Sequence, residues 1–338
     1  MATLHDVAHL AGVSTATVSA TINGTAIVSP ALQEKVRKAV AELGYNPDAI
    51  ARSLKTGTTR TLGLIISDIA NPFFAAVIRG IEDVANERGY ALMLCNTDER
   101  PEKERAYMQL LQSRRVDGMI MAPVGKREDY EDLGRAMPAP VVFIDRRVPA
   151  QADAVVVDNV RGAREAVGYL LGLGHRRIGV ISGLPQISTS IERLAGYHQA
   201  LHEAGLESDP LLLKVGYSRL EGGYRAALEL LAMPDRPTAI FASNNLMVIG
   251  LMRAVAERGL ACPAAVSVVG FDDFDWASVF QPRLTTVAQP TYEMGVKAAE
   301  LLFARMGGER NRERQEIVLA PQLIIRDSCA VPPEGSDA

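Results

Sequence analysis

Ser67, Asn71, Phe73 and Phe74 follow an apolar run at 62–66, and Asp145 and Arg146 close another at 141–145. Asn244 follows the run at 239–243, and Asp272 follows the run at 266–271. Arg193 opens the segment RLAGY, Tyr217 lies beyond LLLKV, and Gln289 sits in LTTVAQP, with Thr189 and Trp276 as secondary candidates. Aromatic faces combined with planar, multidentate polar groups suit a polyol. Rings pack on the C–H face of a sugar, while carboxylate, amide and guanidinium each satisfy two neighbouring hydroxyls. Two arginines, Arg146 and Arg193, also suit a carboxylate, so a sugar acid is an alternative ligand.

Catalytic constellations are not found. No G-x-G-x-x-G follows an expected strand, and neither G-x-x-x-x-G-K-[ST] nor G-x-S-x-G occurs. His5/His9 and His198/His202 have the i,i+4 spacing of two metal ligands on one helix face. They lack the H-E-x-x-H pattern and a nearby third ligand, so they read as solvent-exposed histidines. The acids between 98 and 105 read as the solvated start of a helix. Cys95, Cys262 and Cys329 are odd in number and far apart, which suits reduced structural thiols. Binding without turnover is therefore expected, with no cofactor and no metal.

The elements that must carry these residues fall into zones. Thr3 with Asp6 has capping-box spacing and opens a helix to about Ala11. Gly12-Val13-Ser14 makes a tight turn, Ser14 caps a second helix from Thr15 to about Asn23, and Asn23-Gly24 ends it. Ser29 and Pro30 start a third helix, whose Leu32, Val36, Ala39, Val40 and Leu43 recur at helical spacing before Gly44. A second helix with small side chains after a Gly-containing turn fits a DNA major groove. Thr15, Ala16, Thr17 and Ala20 would then reach base edges, with Ser14 and Ser19 nearer the phosphates and Thr3 and Asn23 as further DNA-binding candidates. The alternative for three short helices is a protein-docking module.

From Thr61 onward, seven short apolar runs (62–66, 90–95, 118–122, 141–145, 177–182, 239–243 and 266–271) alternate with amphipathic stretches. Such alternation argues for an α/β architecture of doubly wound parallel sheets with helices on both faces. About ten strands exceed what one such sheet normally holds, so two lobes are expected, with the ligand at the carboxyl ends of their strands. The 338 residues are 48% hydrophobic, enough for several cores. The net charge of −4 divides into +2 on residues 1–60 and −6 on the remainder, a mildly basic head on an acidic body. The N-terminus lacks a basic n-region before a long apolar stretch, and no apolar run approaches the roughly 20 residues of a membrane span. A soluble, cytoplasmic protein is expected.

The run TLHDVAHLAGVSTATVSATING, followed by VSPALQEKVRKAVAELGYNPDAIARSLKTGTTRTLGLIISDIANPFF, closely resembles the lactose-repressor (LacI) family of bacterial regulators. The resemblance runs from about Thr3 to Asp327. It implies a helix-turn-helix head over 1–45 and a hinge helix with linker over 46–60. It implies an effector-binding, dimerising core over 61–329, similar to periplasmic sugar-binding proteins. The N-lobe would comprise about 61–158 and 289–320, and the C-lobe about 159–288 and 321–329, with 330–338 a disordered tail. In that family, paired hinge helices enter the minor groove of the operator and a leucine wedges between central base pairs. Leu54 holds that position, with Ala51 and Lys55 beside it in AIARSLK. The cleft residues named above resemble those of ribose-binding proteins.

Two positions depart from the family pattern. Ala20 stands where an arginine commonly follows TVS, which implies a different base preference in the operator half-site. Asn245 stands where an aspartate commonly follows the asparagine, which changes the local hydrogen bonding. The resemblance implies a homodimer on a pseudo-palindromic operator, most often released by its sugar or sugar-acid effector. The ending AVPPEGSDA has no leucine heptads for a tetramer seam. A sugar-binding enzyme or receptor is the alternative.

Overall fold

The computed structural model describes residues 2–24, 26–46, 57–125, 129–130, 138–148, 152–308 and 313–333. It divides into two compact units, Met1–Thr59 and Arg60–Ala338, each considered by itself. The expectations placed on Ala51, Leu54 and Lys55 lie outside the described residues.

In the first unit, α1 (Leu4–Ala11) begins at a reciprocal cap. The Asp6 N–H donates to Thr3 Oγ1 at 3.3 Å, and the Thr3 N–H donates to the Asp6 carboxylate at 2.8 Å. The Thr3 N–H, with the Thr3 hydroxyl donating to the same carboxylate at 2.8 Å, holds the exposed Asp6 carboxyl below its usual range. Gly12 follows with φ 62°, a left-handed conformation that glycine adopts without a Cβ penalty. α2 (Thr15–Asn23) is capped by Ser14, and α3 (Pro30–Leu43) carries Pro30 in its first turn and ends at Gly44. Ser29 precedes α3 but makes no side-chain cap bond. Val7, Ala8, Ala11, Val18, Val36 and Ala39 form one small core.

The second unit has two sheets. β1 (Thr61–Ile66), β2 (Ala91–Asn96), β3 (Gly118–Met121), β4 (Val141–Ile144), β5 (Asp153–Val157) and β11 (Glu316–Leu319) lie in the order β11-β5-β4-β3-β1-β2. Every pairing there is parallel. β6 (Ile178–Ser182), β7 (Leu213–Val215), β8 (Ala239–Ala242), β9 (Ser267–Phe271), β10 (Thr285–Ala288) and β12 (Gln322–Ile324) lie in the order β12-β10-β9-β8-β6-β7. All but the β10–β12 pair are parallel. The seven expected runs are strands, and β5, β7, β10, β11 and β12 complete the sheets.

Helices cover both faces of each sheet. α4 (Pro72–Glu87) and α10 (Thr291–Met306) pack on Leu62, Leu64, Ile66, Ile120 and Val142, while α5 (Pro101–Ser113) packs on Ile65, Met119 and Phe143 opposite. This follows from the two-residue period of a strand. Gly80 and Gly295 let α4 and α10 cross closely: a Cβ on either would sit 2.2 Å from the Tyr292 carbonyl oxygen or 2.1 Å from that of Val77, respectively. In the second lobe, α6 (Asn159–Gly172) and α7 (Ser188–Glu203) cover one face. α8 (Leu220–Leu231) and α9 (Asn245–Glu257) cover the other.

The chain passes between lobes after β5, after β10 and after β11. Residue 330 is not loose, contrary to expectation. Its N–H donates to Ser267 Oγ at 3.0 Å, and its carbonyl accepts from the buried His175 Nε2 at 2.8 Å. These bonds are made with residues far away in sequence, which the Pro- and Gly-rich composition of the tail conceals. Cys95, Cys262 and Cys329 are free thiols, and burial pushes the last two up to about 12 and about 11.

Candidate functional site

Two surfaces carry the expected chemistry. On the head, Val18 is wholly buried under α1 and α3 and fixes the roll of α2. The opposite positions are then presented outward: Ser14, Ala16 and Asn23 are exposed, and Thr15, Thr17, Ser19 and Ala20 half-buried. Ser14 Oγ accepts the Thr17 N–H at 3.1 Å, and Asn23 Nδ2 donates to the Ser19 carbonyl at 2.9 Å. Thr3 is exposed but bound into its cap. α2 bears no charge, while Lys35, Arg37 and Lys38 are exposed on α3. Small side chains on an outward helix with cations beside it match what base edges and phosphates require.

The second surface is a cleft at the carboxyl ends of both sheets. Strand order reverses there twice: β1 lies between β2 and β3, and β6 between β7 and β8. Such switch points leave a crevice between outgoing loops. The backbone turns left-handed just beyond four strand ends, at Asp98 and Glu99, at Asp145, at Tyr217 and Ser218, and at Asp272 (φ 54–70°). Each such non-glycine residue costs about 1–3 kcal/mol, and four of them, Glu99, Asp145, Ser218 and Asp272, line the cleft.

Ten expected residues line it: Ser67, Asn71, Phe73, Phe74, Asp145, Arg146, Thr189, Arg193, Asn244 and Asp272. Phe73 and Phe74 meet edge to face at 5.0 Å. Asn71 caps α4, its Oδ1 accepting the Phe73 N–H at 3.0 Å, and Asn244 caps α9 through the Met247 N–H at 2.9 Å. Gln289 touches the cleft indirectly: its Nε2 donates to Asp272 Oδ1, and its Oε1 is buried with no hydrogen-bond partner among the described residues. Tyr217 and Trp276 are not brought in; both are more than half exposed and outside the lining. Tyr217 sits at a left-handed turn in which its successor Ser218, rather than Tyr217 itself, lines the cleft.

The charges are paired. Arg193 donates through Nε to Asn159 Oδ1 at 2.8 Å and through Nη1 to the Ser243 carbonyl at 2.7 Å, and its Nη2 lies 3.3 Å from Asp272 Oδ1. Its guanidinium stacks over Phe271 at 3.8 Å. Arg146 grips Glu99 with both terminal nitrogens, at 2.8 and 2.5 Å, and its Nε lies 3.4 Å from Asp145 Oδ2. Burial raises the Glu99 carboxyl, but Arg146 outweighs it, so the net shift is downward. Asp145 goes the other way. Burial pushes it up to about 6; Arg146 and Arg193 oppose this, and Asp272 and Glu99 add to it.

Glu99 overturns the expectation of a solvated acidic stretch at 98–105. Glu104 does too: it is 1% exposed, accepts the Val124 N–H at 2.8 Å and the Tyr130 hydroxyl, and burial raises its carboxyl. Their partners lie 20 to 47 residues away, and no local signal marks them. Asp68, Ser190, Ser218, Arg219 and Ser243 also line the cleft without having been expected. Among the histidines, His5, His9 and His202 are exposed but His198 is half-buried against Tyr197. Asn245 is fully buried and donates to Asn71 Oδ1 across the cleft at 2.9 Å, a bond that an ionised aspartate cannot give.

A three-helix head and a two-lobed, polar-floored cleft define a ligand-responsive DNA-binding regulator. Residues 3–48 match the family "Bacterial regulatory proteins, lacI family", and residues 167–329 match a "Periplasmic binding protein-like domain". The chain is 40% identical over 330 residues to the HTH-type transcriptional repressor PurR of Photobacterium profundum, covering 97% of this chain and 98% of that one. The solved complex of the transcriptional regulator CelR with cellobiose is 35% identical, with a TM-score of 0.73 over 97% of this chain and 100% of that chain. The lac repressor dimer bound to operator and the anti-inducer ONPF is 28% identical, with a TM-score of 0.87 over 97% and 99%. The chain belongs to the LacI family of bacterial regulators. It is a DNA-binding transcriptional repressor with a small-molecule-binding core, and not an enzyme. Among the described residues no helix is long and apolar enough to cross a membrane.

Proposed function

We propose that this repressor is switched by an uncharged, hydroxyl-rich effector of the sugar class, bound among Phe73, Phe74, Asp145, Arg146, Arg193, Asn244 and Asp272. The carrying observation is charge pairing. Arg146 is occupied by Glu99, and Arg193 by Asp272 and Asn159, so neither guanidinium offers an uncompensated charge to a sugar acid. Paired groups still have lone pairs and N–H directions suited to vicinal hydroxyls. The protein acts in the cytoplasm as a homodimer, its two heads occupying half-sites of a pseudo-palindromic operator through Thr15, Ala16, Thr17 and Ala20. The effector and the operator are coupled by linkage: whatever factor the sugar imposes on operator affinity, the operator imposes on sugar affinity.

The test is a thermal-shift screen of the full chain against aldopentoses, aldohexoses, their uronic and aldonic acids and their phosphates. A neutral sugar that raises Tm, and no longer does so in Arg193→Ala and Asp272→Ala, supports the reading. A response confined to acids or phosphates refutes it. Operator fluorescence anisotropy with and without the hit then gives the sign of control.

A further inference from the structure

The outer edge of the cleft carries a contact that effector binding leaves unexplained. Arg219, just before α8 in the second lobe, donates through Nη2 to the Asp98 carbonyl at 3.0 Å, and its Nη1 lies 3.7 Å from Asp68 Oδ2. Asp68 and Asp98 both belong to the first lobe, so the guanidinium spans the cleft. Arg219 and Asp68 line it. The Arg219 side chain is 46% exposed, whereas those of Arg146 and Arg193 are 8% and 6% exposed, and this gradient puts Arg219 at the mouth.

Both ends of this span are fixed. Asp98 holds a left-handed backbone, and its carboxylate takes the Lys103 ammonium and the Asn96 amide, which settles where its carbonyl lies. Asp68 uses Oδ1 to accept the Ala70 N–H at 2.9 Å, leaving Oδ2 for the arginine. Arg219 rises from the left-handed pair Tyr217 and Ser218. Phe73 and Phe74 line the cleft behind this strap.

We propose that Arg219 is a specificity-determining residue that restricts the effector to a single ring, its guanidinium holding the place a linked second ring would take. The inference rests on the sugar-class effector proposed above. The Asn71–Asn245 bond also ties the lobes, from a fully buried Asn245 to a half-buried Asn71, so cleft closure does not depend on Arg219 alone. Opening the mouth therefore leaves the floor able to bind.

Isothermal titration of the full chain with D-ribose, D-glucose and D-galactose, and with the 1,4-linked disaccharide of whichever hexose binds, tests this. A bound pentose is tested instead through its 1-O-glucoside. In the wild type the two-ring ligand should bind at least about tenfold more weakly than the single ring, a difference of about 1.4 kcal/mol. Arg219→Ala should narrow that ratio to about threefold or less, while single-ring affinity drops by no more than a similar factor. Arg219→Gln, which shortens the group and removes its charge, guards against a folding artefact in the alanine variant and should narrow the ratio too. Equal binding of one and two rings by the wild type overturns the inference alone, as does a ratio unchanged in both variants. No binding of any sugar by the wild type overturns the proposed effector, and this inference with it.

Discussion

The outward face of α2 and the floor of the cleft are built from different chemistry. α2 (TATVSATIN) has no ionisable side chain, and its polar groups are committed only to neighbours within four residues. The cleft gathers four carboxylates (Asp68, Glu99, Asp145, Asp272) and three guanidiniums (Arg146, Arg193, Arg219), committed to one another over separations as long as 151 residues in the case of Arg219 and Asp68. On the proposed reading, the head meets its target with small groups whose replacement changes what is read. In the cleft, replacement changes the protein as well as what it binds, because a buried charge loses its partner.

The largest effect should come from Asp272→Ala, which strands Arg193 and the Gln289 amide in a site where both pair partners are about 6% exposed. Breaking such a buried pair costs about 3–5 kcal/mol. Urea unfolding of the core transition should show that loss, and Arg193→Ala/Asp272→Ala should fall short of the sum of the single losses by about 1 kcal/mol or more. In the head, Thr3→Ala and Ser14→Ala remove separate caps and should add within about 0.5 kcal/mol. Additive cleft variants would erase the contrast.

Asp145 sharpens it through pH. An unfolded aspartate titrates near about 4, whereas burial raises the folded group to about 6. The folded state thus binds the extra proton between these values. This contribution to stability is complete below about 4 and is lost as pH rises through about 6. Asp145→Asn keeps the group neutral, so its stability should stay flat across that window where the wild type declines. At pH 7 the variant should unfold later than the wild type, by at most about 3 kcal/mol. A wild-type profile that parallels the variant between pH 4 and 7 would show that Asp145 titrates normally.

The same contrast governs what the sequence could show. Caps, turns and the seam of the head are decided within four residues, so Thr3 with Asp6, Ser14, Gly12 and the apolar spacing of α3 were enough to draw it. Strand ends were legible because apolar runs stop where polar residues begin, which located Ser67, Asp145, Asn244 and Asp272. Glu99 was not legible. Asp98-Glu99-Arg100 looks like any solvated charge run, and only the fold brings Arg146 to it. Tyr217 and Trp276 fall outside the lining for the opposite reason: an aromatic near a strand end is a reasonable cleft wall, but both stand more than half exposed, Tyr217 at a left-handed turn and Trp276 in a 3-10 turn.

Ala20→Arg tests the head at moderate scale. The arginine would restore a bidentate donor for guanine and shift discrimination at one base pair by about 1–3 kcal/mol. Operator selection with both proteins should return half-sites that differ at that pair. The denaturation midpoint and effector affinity of the second unit should not change, since α2 packs within the head's own small core. Identical selected half-sites would remove Ala20 from the reading surface.

The smallest effect expected is at Thr3, where two roles can be told apart. Its hydroxyl accepts the Asp6 N–H and also stands exposed on the head, so it is both cap and candidate phosphate contact. Thr3→Ala should destabilise the head by about 1 kcal/mol through the lost cap, seen as faster hydrogen exchange of the α1 amides. Thr3→Ser keeps an oxygen in the cap position and should leave that exchange near the wild-type rate. If operator binding weakens in Thr3→Ala but not in Thr3→Ser, a hydroxyl at this position is needed, and the exchange data decide how much of the need is the cap. If operator binding weakens equally in both while exchange differs, the threonine methyl lies against the DNA. Fully normal operator binding in Thr3→Ala, with faster exchange, would leave Thr3 a cap and nothing more.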